Sequence, residues 1–219
     1  MKFTFFYSFL LANLFFLACK NTPKPKEEID VTTAAPVETT QGIATIFKVN
    51  TQKSGINWIG SSLRGRHNGT INLSSGRLNV VEGNITTGDF DIDMNSLVAL
   101  DLKGEEKAEL EGHLKESDFF ETTKFSTGRF VITKVEKVNN NPNFTHQISG
   151  DLTLKDITNS VSFLANIKIT DNEIEATSND FSINRTKWKI TYQSTLLGIA
   201  LDKAIKDDIL LKIKLLTQK

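Results

Sequence analysis

Apolar and polar residues alternate with a period of two along most of this chain. Val161, Phe163, Ala165, Ile167 and Ile169 alternate with Ser162, Asn166 and Lys168, and Ile209, Leu211, Ile213 and Leu215 with Lys212 and Lys214. Phe90, Ile92 and Met94 share one face of a third segment whose other face is Asp89, Asp91 and Asp93, and a fourth runs from Ile148 through Gly150 and Leu152 to Leu154. Such alternation predicts strands with one buried face. Turn signals separate the segments at Ser75-Gly76, Glu82-Gly83-Asn84, Asn139 to Asn143 and Asp171-Asn172, so neighbouring strands should pair as an antiparallel meander. One stretch has a helical period instead: Ala108, Leu110 and Leu114 recur within a Glu/Lys-rich segment, predicting a short helix over 105–115, with a second short turn near 196–205.

Eight or so strands with one or two short helices form either a sandwich or a closed barrel, and periodicity leaves that choice open. Glycines at predicted strand bends (Gly60, Gly65, Gly69, Gly88, Gly150) favour the barrel, because closing a small sheet requires sharp local bends.

The N-terminal region departs from the pattern. Lys2 precedes an apolar run, Phe3 to Ala18, of signal-peptide length, and the chain's single cysteine, Cys19, follows directly. Phe16, Leu17 and Ala18 before Cys19 fit a lipoprotein signal peptidase site, so residues 1–18 are expected to be a signal peptide and Cys19 the site of acylation, including palmitate-type chains. An uncleaved anchor would tether the chain to a membrane just as well. Residues 19–42 hold three of the four prolines and no aromatic residue beyond the cysteine, a composition that predicts a flexible tether. The body, 43–219, is one domain of ordinary size. The expected location is the bacterial cell envelope, lipid-anchored, periplasm-facing or surface-exposed, with the outer membrane favoured.

Charge excludes some partners. The chain carries 26 basic and 26 acidic residues, which argues against nucleic-acid binding and against a polybasic membrane patch. No nucleophile elbow, phosphate-binding loop, dinucleotide fingerprint or His-Glu-x-x-His helix is present. The sequence therefore gives no catalytic residue, no metal site and no cofactor, and the expectation is a protein that is not an enzyme. A metal-dependent activity built from His67, His113 and Asp118 is the weakest alternative.

Motifs at the strand ends form an ordered set. They are Trp58-Ile59-Gly60, Gly65-Arg66-His67-Asn68-Gly69, Gly88 to Met94, His113 to Phe120, Gly150 to Lys155, Phe181 to Trp188 and Ile205 to Ile209. In that order and spacing, the chain resembles the YceI-like, polyisoprenoid-binding family. One departure is Lys189, where the family commonly has a glycine. The resemblance implies an all-β, antiparallel, eight-stranded, lipocalin-like barrel around a long apolar ligand, an isoprenoid quinone or polyprenyl lipid, and a possible homodimer.

The residues offer a site for such an apolar amphiphile. Phe90, Met94, Phe163, Phe181 and Ile183 are candidate wall residues. Trp58 and Trp188 line the cavity or plug an end, each indole N–H finding a polar partner. Phe119 and Phe120 are placed as a lid or portal. His67, His113 and Arg185 are candidate donors to a carbonyl or phosphate, although a structural ion pair with Asp207 is the preferred reading of Arg185, and Asp118 is suited to orienting His113 or capping a turn. The Asp89, Asp91, Asp93 face is expected to be solvated. A ligand-free envelope scaffold remains the rival to ligand binding.

Overall fold

The computed structural model describes residues 43–200 and 202–219. The predicted signal peptide, the tether and Cys19 lie outside the described residues. Ten strands are formed: β1 (Thr45–Val49), β2 (Gly55–Ser61), β3 (Arg66–Val81), β4 (Asn84–Ala99), β5 (Thr127–Lys137), β6 (His146–Leu154), β7 (Ile157–Ile169), β8 (Glu173–Ser178), β9 (Phe181–Asn184) and β10 (Asp208–Gln218). A single α-helix, α1 (Gly104–Lys115), follows β4, close to its predicted bounds.

Every pairing is antiparallel. Strands β2 to β8 pair in chain order, and β10 pairs with both β2 and β8, so the sheet closes on itself. Two of its staves are broken in the middle. β1 and β2 both lie between β10 and β3, while β8 and β9 lie end to end along the other edge of β10. Counted as staves, the barrel has the eight positions expected from the sequence.

Both breaks are repaired by buried serines. Ser54 Oγ donates to the Leu216 carbonyl at 3.1 Å and accepts from the Leu216 N–H at 2.9 Å, standing in for the ladder where the chain turns between β1 and β2. Ser178 Oγ accepts from Ile213 N–H at 2.8 Å and donates to the Asn179 carbonyl at 2.7 Å at the other break. A hydroxyl that both donates and accepts lets a strand bend without orphaning the backbone of its neighbour.

The alternating segments point their apolar residues inward as predicted. Phe90, Ile92 and Met94 are buried, as are Ile148, Leu152 and Leu154, and the acidic face of β4 points outward. There Arg77 meets Asp89 at 2.8 Å, and Arg129 spans Asp91 at 3.1 Å and Asp89 at 3.5 Å. The predicted turn at Ser75-Gly76 is corrected: these residues lie inside β3, at a register shift between Leu73 and Ser75. The Ser-Gly pair marks an irregular strand position with no chain reversal.

Glycine matters here through space more than through bending. A β-carbon on Gly69 would lie 1.8 Å from the Val98 carbonyl and 2.5 Å from the Trp58 ring, and one on Gly150 would lie 2.4 Å from the Phe130 ring. Gly60 and Gly65 face open space, so nothing in the structure requires glycine there.

The two ends of the barrel are built differently. At one end the connections are short turns, such as Glu82-Gly83, whose positive φ values of 50° and 72° suit a two-residue hairpin. At the other end lie the loop 62–65, the segment 100–126 containing α1, the turn Lys155-Asp156 and the segment 185–207.

Candidate ligand-binding cavity

The inward faces do not fill the barrel. They enclose a cavity of about 460 Å³, within the range of small-molecule sites. Its deep walls are aliphatic and aromatic. Phe90 stacks on Phe130 with centroids 6.4 Å apart, Phe130 lies 5.9 Å from Phe163, and Phe163 stacks on Phe181 at 4.6 Å. This belt crosses from β4 and β5 to β7 and β9. It passes over β6 because Gly150 leaves the space into which the Phe130 ring leans. Met94 and Ile183 complete this part of the wall as the sequence led one to expect.

Except for Ser178 at the β8–β9 break, whose hydroxyl is committed to backbone groups, the polar lining gathers at one end. Ser61, Ser62, Arg64, His67, Gln193, Asp202, Lys203 and Lys206 all belong to the loop-rich end, whereas the turns of the opposite end contribute no lining residue. The cavity thus has an apolar body and a single polar mouth.

Over that mouth sits α1 with the turn that follows it. Acidic Glu105 and Glu106 in its first turn and basic His113 and Lys115 in its last complement the helix dipole. Glu111 accepts from the Ala99 N–H at 2.7 Å, tying the helix to the end of β4. Phe119 and Phe120 are buried against the cavity, consistent with their placement as a lid. Lys155 fastens this cap by donating to the carbonyls of Ser117 at 3.0 Å and Phe119 at 2.8 Å. Its own backbone is left-handed, with φ 48°, followed by Asp156 at 58°.

The candidate head-group residues are separated into different roles. His67 Nδ1 lies 2.9 Å from Asp101, whose other oxygen accepts from the Asn68 N–H at 3.0 Å. Burial pushes the Asp101 carboxyl up, but hydrogen bonds from the Asn68 amide, from His67 and from its own backbone, with the His67 charge, together hold the group below its ordinary value. His113 Nε2 faces Asp118 at 3.4 Å, and its ring packs edge-on against Tyr192 at 4.3 Å and Phe119 at 5.3 Å. His113, Glu116 and Asp118 each bring one ligand atom within 4.8 Å of the others, on a half-buried histidine and two exposed carboxylates.

Of the two roles offered for Arg185, the structural one with Asp207 is the one observed, and its placement as a head-group donor is corrected. Its guanidinium donates to the carbonyls of Ile190 at 3.0 Å, Ile205 at 3.1 Å and Lys206 at 3.3 Å, and faces Asp207 at 3.1 Å. It borders the cavity with its N–H groups committed to the 185–207 segment. Burial draws its pKa down and Asp207 opposes that.

The tryptophans also part ways. Trp58 lines the cavity, but its indole N–H is buried without a hydrogen-bond partner, contrary to expectation. Of the two roles offered for Trp188, packing is the one observed and its placement on the ligand wall is corrected: it is buried, absent from the cavity wall, and donates to the Leu152 carbonyl at 3.1 Å. Lys189, after it, takes the left-handed conformation with φ 58° that a glycine would adopt freely. Tyr192 is a mouth residue that sequence reasoning missed, because its segment has no periodicity and only its contacts with His113 and Phe119 reveal it.

These features agree with comparison to known proteins. The sequence profile of the YceI-like domain family matches residues 47–216. The chain belongs to the YceI-like domain family. Among solved structures it is similar to BcnA of Burkholderia cenocepacia, with TM-score 0.60, 13% identity, and coverage of 77% of this chain and 98% of that one. It is also similar to a polyisoprenoid binding domain from Saccharophagus degradans implicated in plant cell wall breakdown, with TM-score 0.53, 12% identity, and coverage of 78% and 97%. At these identities the likeness concerns the fold. No relative was found among curated protein sequences.

Proposed function

We propose that this YceI-like protein holds a long-chain isoprenoid amphiphile, a quinone or polyprenyl lipid, tail inward in the barrel cavity, and carries out no chemical step on it. The observation that carries this reading is the division of the cavity into an apolar body and one polar mouth. A hydrocarbon tail against the Phe90–Phe130–Phe163–Phe181 belt gains about 0.8 kcal/mol per buried methylene, so one five-carbon isoprene unit contributes roughly 3–4 kcal/mol before the cost of immobilisation. A head group then comes to rest near His67, His113 and Tyr192. The polyisoprenoid binding domain of Saccharophagus degradans, on the same fold, supports this choice of tail.

The N-terminal sequence extends the proposal to location. Acylated at Cys19, the barrel would sit on an envelope membrane, outer membrane favoured. A spacer with the composition of residues 20–42 reaches roughly 25–30 Å root-mean-square, which suits capture or presentation at that membrane better than transport away from it.

The test is mass spectrometry of organic extracts from gently purified protein, beside an Ala176→Trp variant. Ala176 faces the cavity, and an indole there occupies the tail's space. Stoichiometric isoprenoid lipid in the native protein and loss of most of it in a folded variant are expected. Protein that is repeatedly empty, or a variant that retains its lipid, would sink the reading and favour a ligand-free scaffold.

A further inference from the structure

We propose that the rim of the mouth formed by residues 61–66 and by the described residues 194–200 and 202–206 is a docking surface for a bilayer containing anionic lipids, so that the cavity opens directly onto the membrane from which its occupant comes. The two segments form one surface. Ser62 bridges Ile205, the Lys206 N–H donates to the Ser61 carbonyl at 2.8 Å, and Arg64 Nε donates to the Asp202 carbonyl at 3.1 Å.

Large apolar side chains project from this surface into solvent. Leu63 is 70% exposed, Leu196 70% and Leu197 61%, and Leu100, on the neighbouring loop of the same end, is 60% exposed. At the opposite end the turn tips are polar, Glu82-Gly83, Asn139 to Asn143 and Asp171-Asn172, and the exposed apolar residues there, Ile43 at 93% and Ile46 at 49%, lie where the chain enters β1 and not on the turns. Single exposed leucines need no explanation, but a group of them on one rim marks an interaction surface.

The leucines are presented by an ordered turn. Ser194 caps Thr195–Leu197 by accepting from the Leu196 N–H at 3.2 Å, and its hydroxyl donates to the Asp207 carboxylate at 3.0 Å. Asp207 in turn faces the buried Arg185. The leucines are therefore held outward by a buried polar frame, and little ordering cost remains to be met when they insert.

Charge identifies the partner. Arg64, Arg66, Lys203 and Lys206 are exposed on the same rim, where Asp202 is the one carboxylate of the two segments' exposed surface. Among the described residues, none of these four cations pairs with a carboxylate. Leucines flanked by unpaired cations match the apolar interior and phosphate layer of an anionic membrane surface. Each cation near such a surface favours binding by about fivefold. The neutral overall composition conceals this patch because its charges balance over the whole chain, not over the rim.

Amide hydrogen exchange on the full chain tests the proposal, in solution, with phosphatidylcholine vesicles, and with vesicles of equimolar phosphatidylcholine and phosphatidylglycerol. Exchange in 61–66 and 194–206 is expected to slow several-fold with the mixed vesicles, and less with phosphatidylcholine alone, while 82–83 and 139–143 stay unchanged. The readout is local, so attachment through residues 1–42 does not imitate it. Two variants, Arg66→Glu/Lys203→Glu and Leu63→Ser/Leu196→Ser, alter exposed side chains that hold no hydrogen bond or ion pair of the rim and should each abolish the slowing without lowering Tm. Unchanged exchange on the rim, or slowing that survives both variants, overturns the proposal. Rim exchange already slow without vesicles, in a chain with the mass of a dimer, also overturns it and assigns the surface to a second copy. Docking does not require an occupied cavity, so an empty barrel would sink the ligand reading while leaving this one to be decided by the exchange map.

Discussion

The two ends of this barrel solve opposite problems with the same sheet. The short-turn end closes the ladder locally: Glu82-Gly83 reverses the chain in two residues, and the pairing of Val81 with Asn84 follows at once. The loop-rich end keeps a mouth open, so its long segments meet through isolated backbone contacts such as the Ser62–Ile205 bridge and are otherwise fixed by a few long side chains reaching back to backbone carbonyls. Lys155 holds the turn after α1, and Arg185 holds 185–207. Stability is spread over many interchangeable ladder bonds at one end and concentrated in single residues at the other. Local opening should therefore differ between the ends.

The sharpest test of that contrast is Arg185→Met. The substitution keeps much of the apolar stem but leaves the Ile190, Ile205 and Lys206 carbonyls and the Asp207 carboxylate without their buried donor. Removing one partner of a buried charged network costs about 3–5 kcal/mol. We expect a loss of that order in chemical denaturation, with exchange rising first in 185–207 and last in the β3–β4 hairpin. A uniform rise along the whole chain would break the comparison.

Lys155→Ala should cost less, about 1.5–3 kcal/mol for hydrogen bonds from a charged group. Its effect should fall on the cap. Lys155→Gly separates the two roles of this residue, because it relieves the left-handed backbone yet also loses the ammonium. The glycine variant should recover roughly 1 kcal/mol relative to alanine and should still release the turn holding Phe119. Faster exchange at 116–122 in both variants is the measurement. Protection there equal to that of the native chain would show that the cap is held by its aromatic contacts alone.

What could be read beforehand follows the same division. The walls were legible because a stave with one buried face must alternate, and residues 90–94, 161–169 and 209–215 do. The helix was legible from the spacing of Ala108, Leu110 and Leu114. The mouth was not, because its side chains take their roles from partners distant in sequence. The Arg185–Asp207 pair could be anticipated but the three carbonyls that commit the guanidinium could not, and Tyr192 had no pattern to betray it. Turn chemistry misled in both directions. Ser75-Gly76 has turn composition but lies within β3, whereas Lys155-Asp156 makes a two-residue turn without glycine because Lys155 is held from outside the hairpin. Lys189 is similar: it takes a left-handed backbone without being glycine.

The smallest effect concerns the loop that leads into the cap, where Asp101 accepts from the Asn68 amide and meets His67. Its carboxyl is held below its ordinary value of 3.8, so the folded state favours the ionised form. The sign follows from linkage: the contribution is complete above the unfolded-state value and disappears as pH falls through the lower folded-state value. Because the pair is largely open to solvent, its worth is at most about 1 kcal/mol. Asp101→Asn should therefore be slightly less stable than the native chain near neutrality, and the gap in urea midpoint should close as the pH is taken below 3.8. A gap that persists unchanged through that range would mean that Asp101 acts through shape alone. The loop-rich end would then lack the charge-based fastening at this site that sets it apart from the short-turn end.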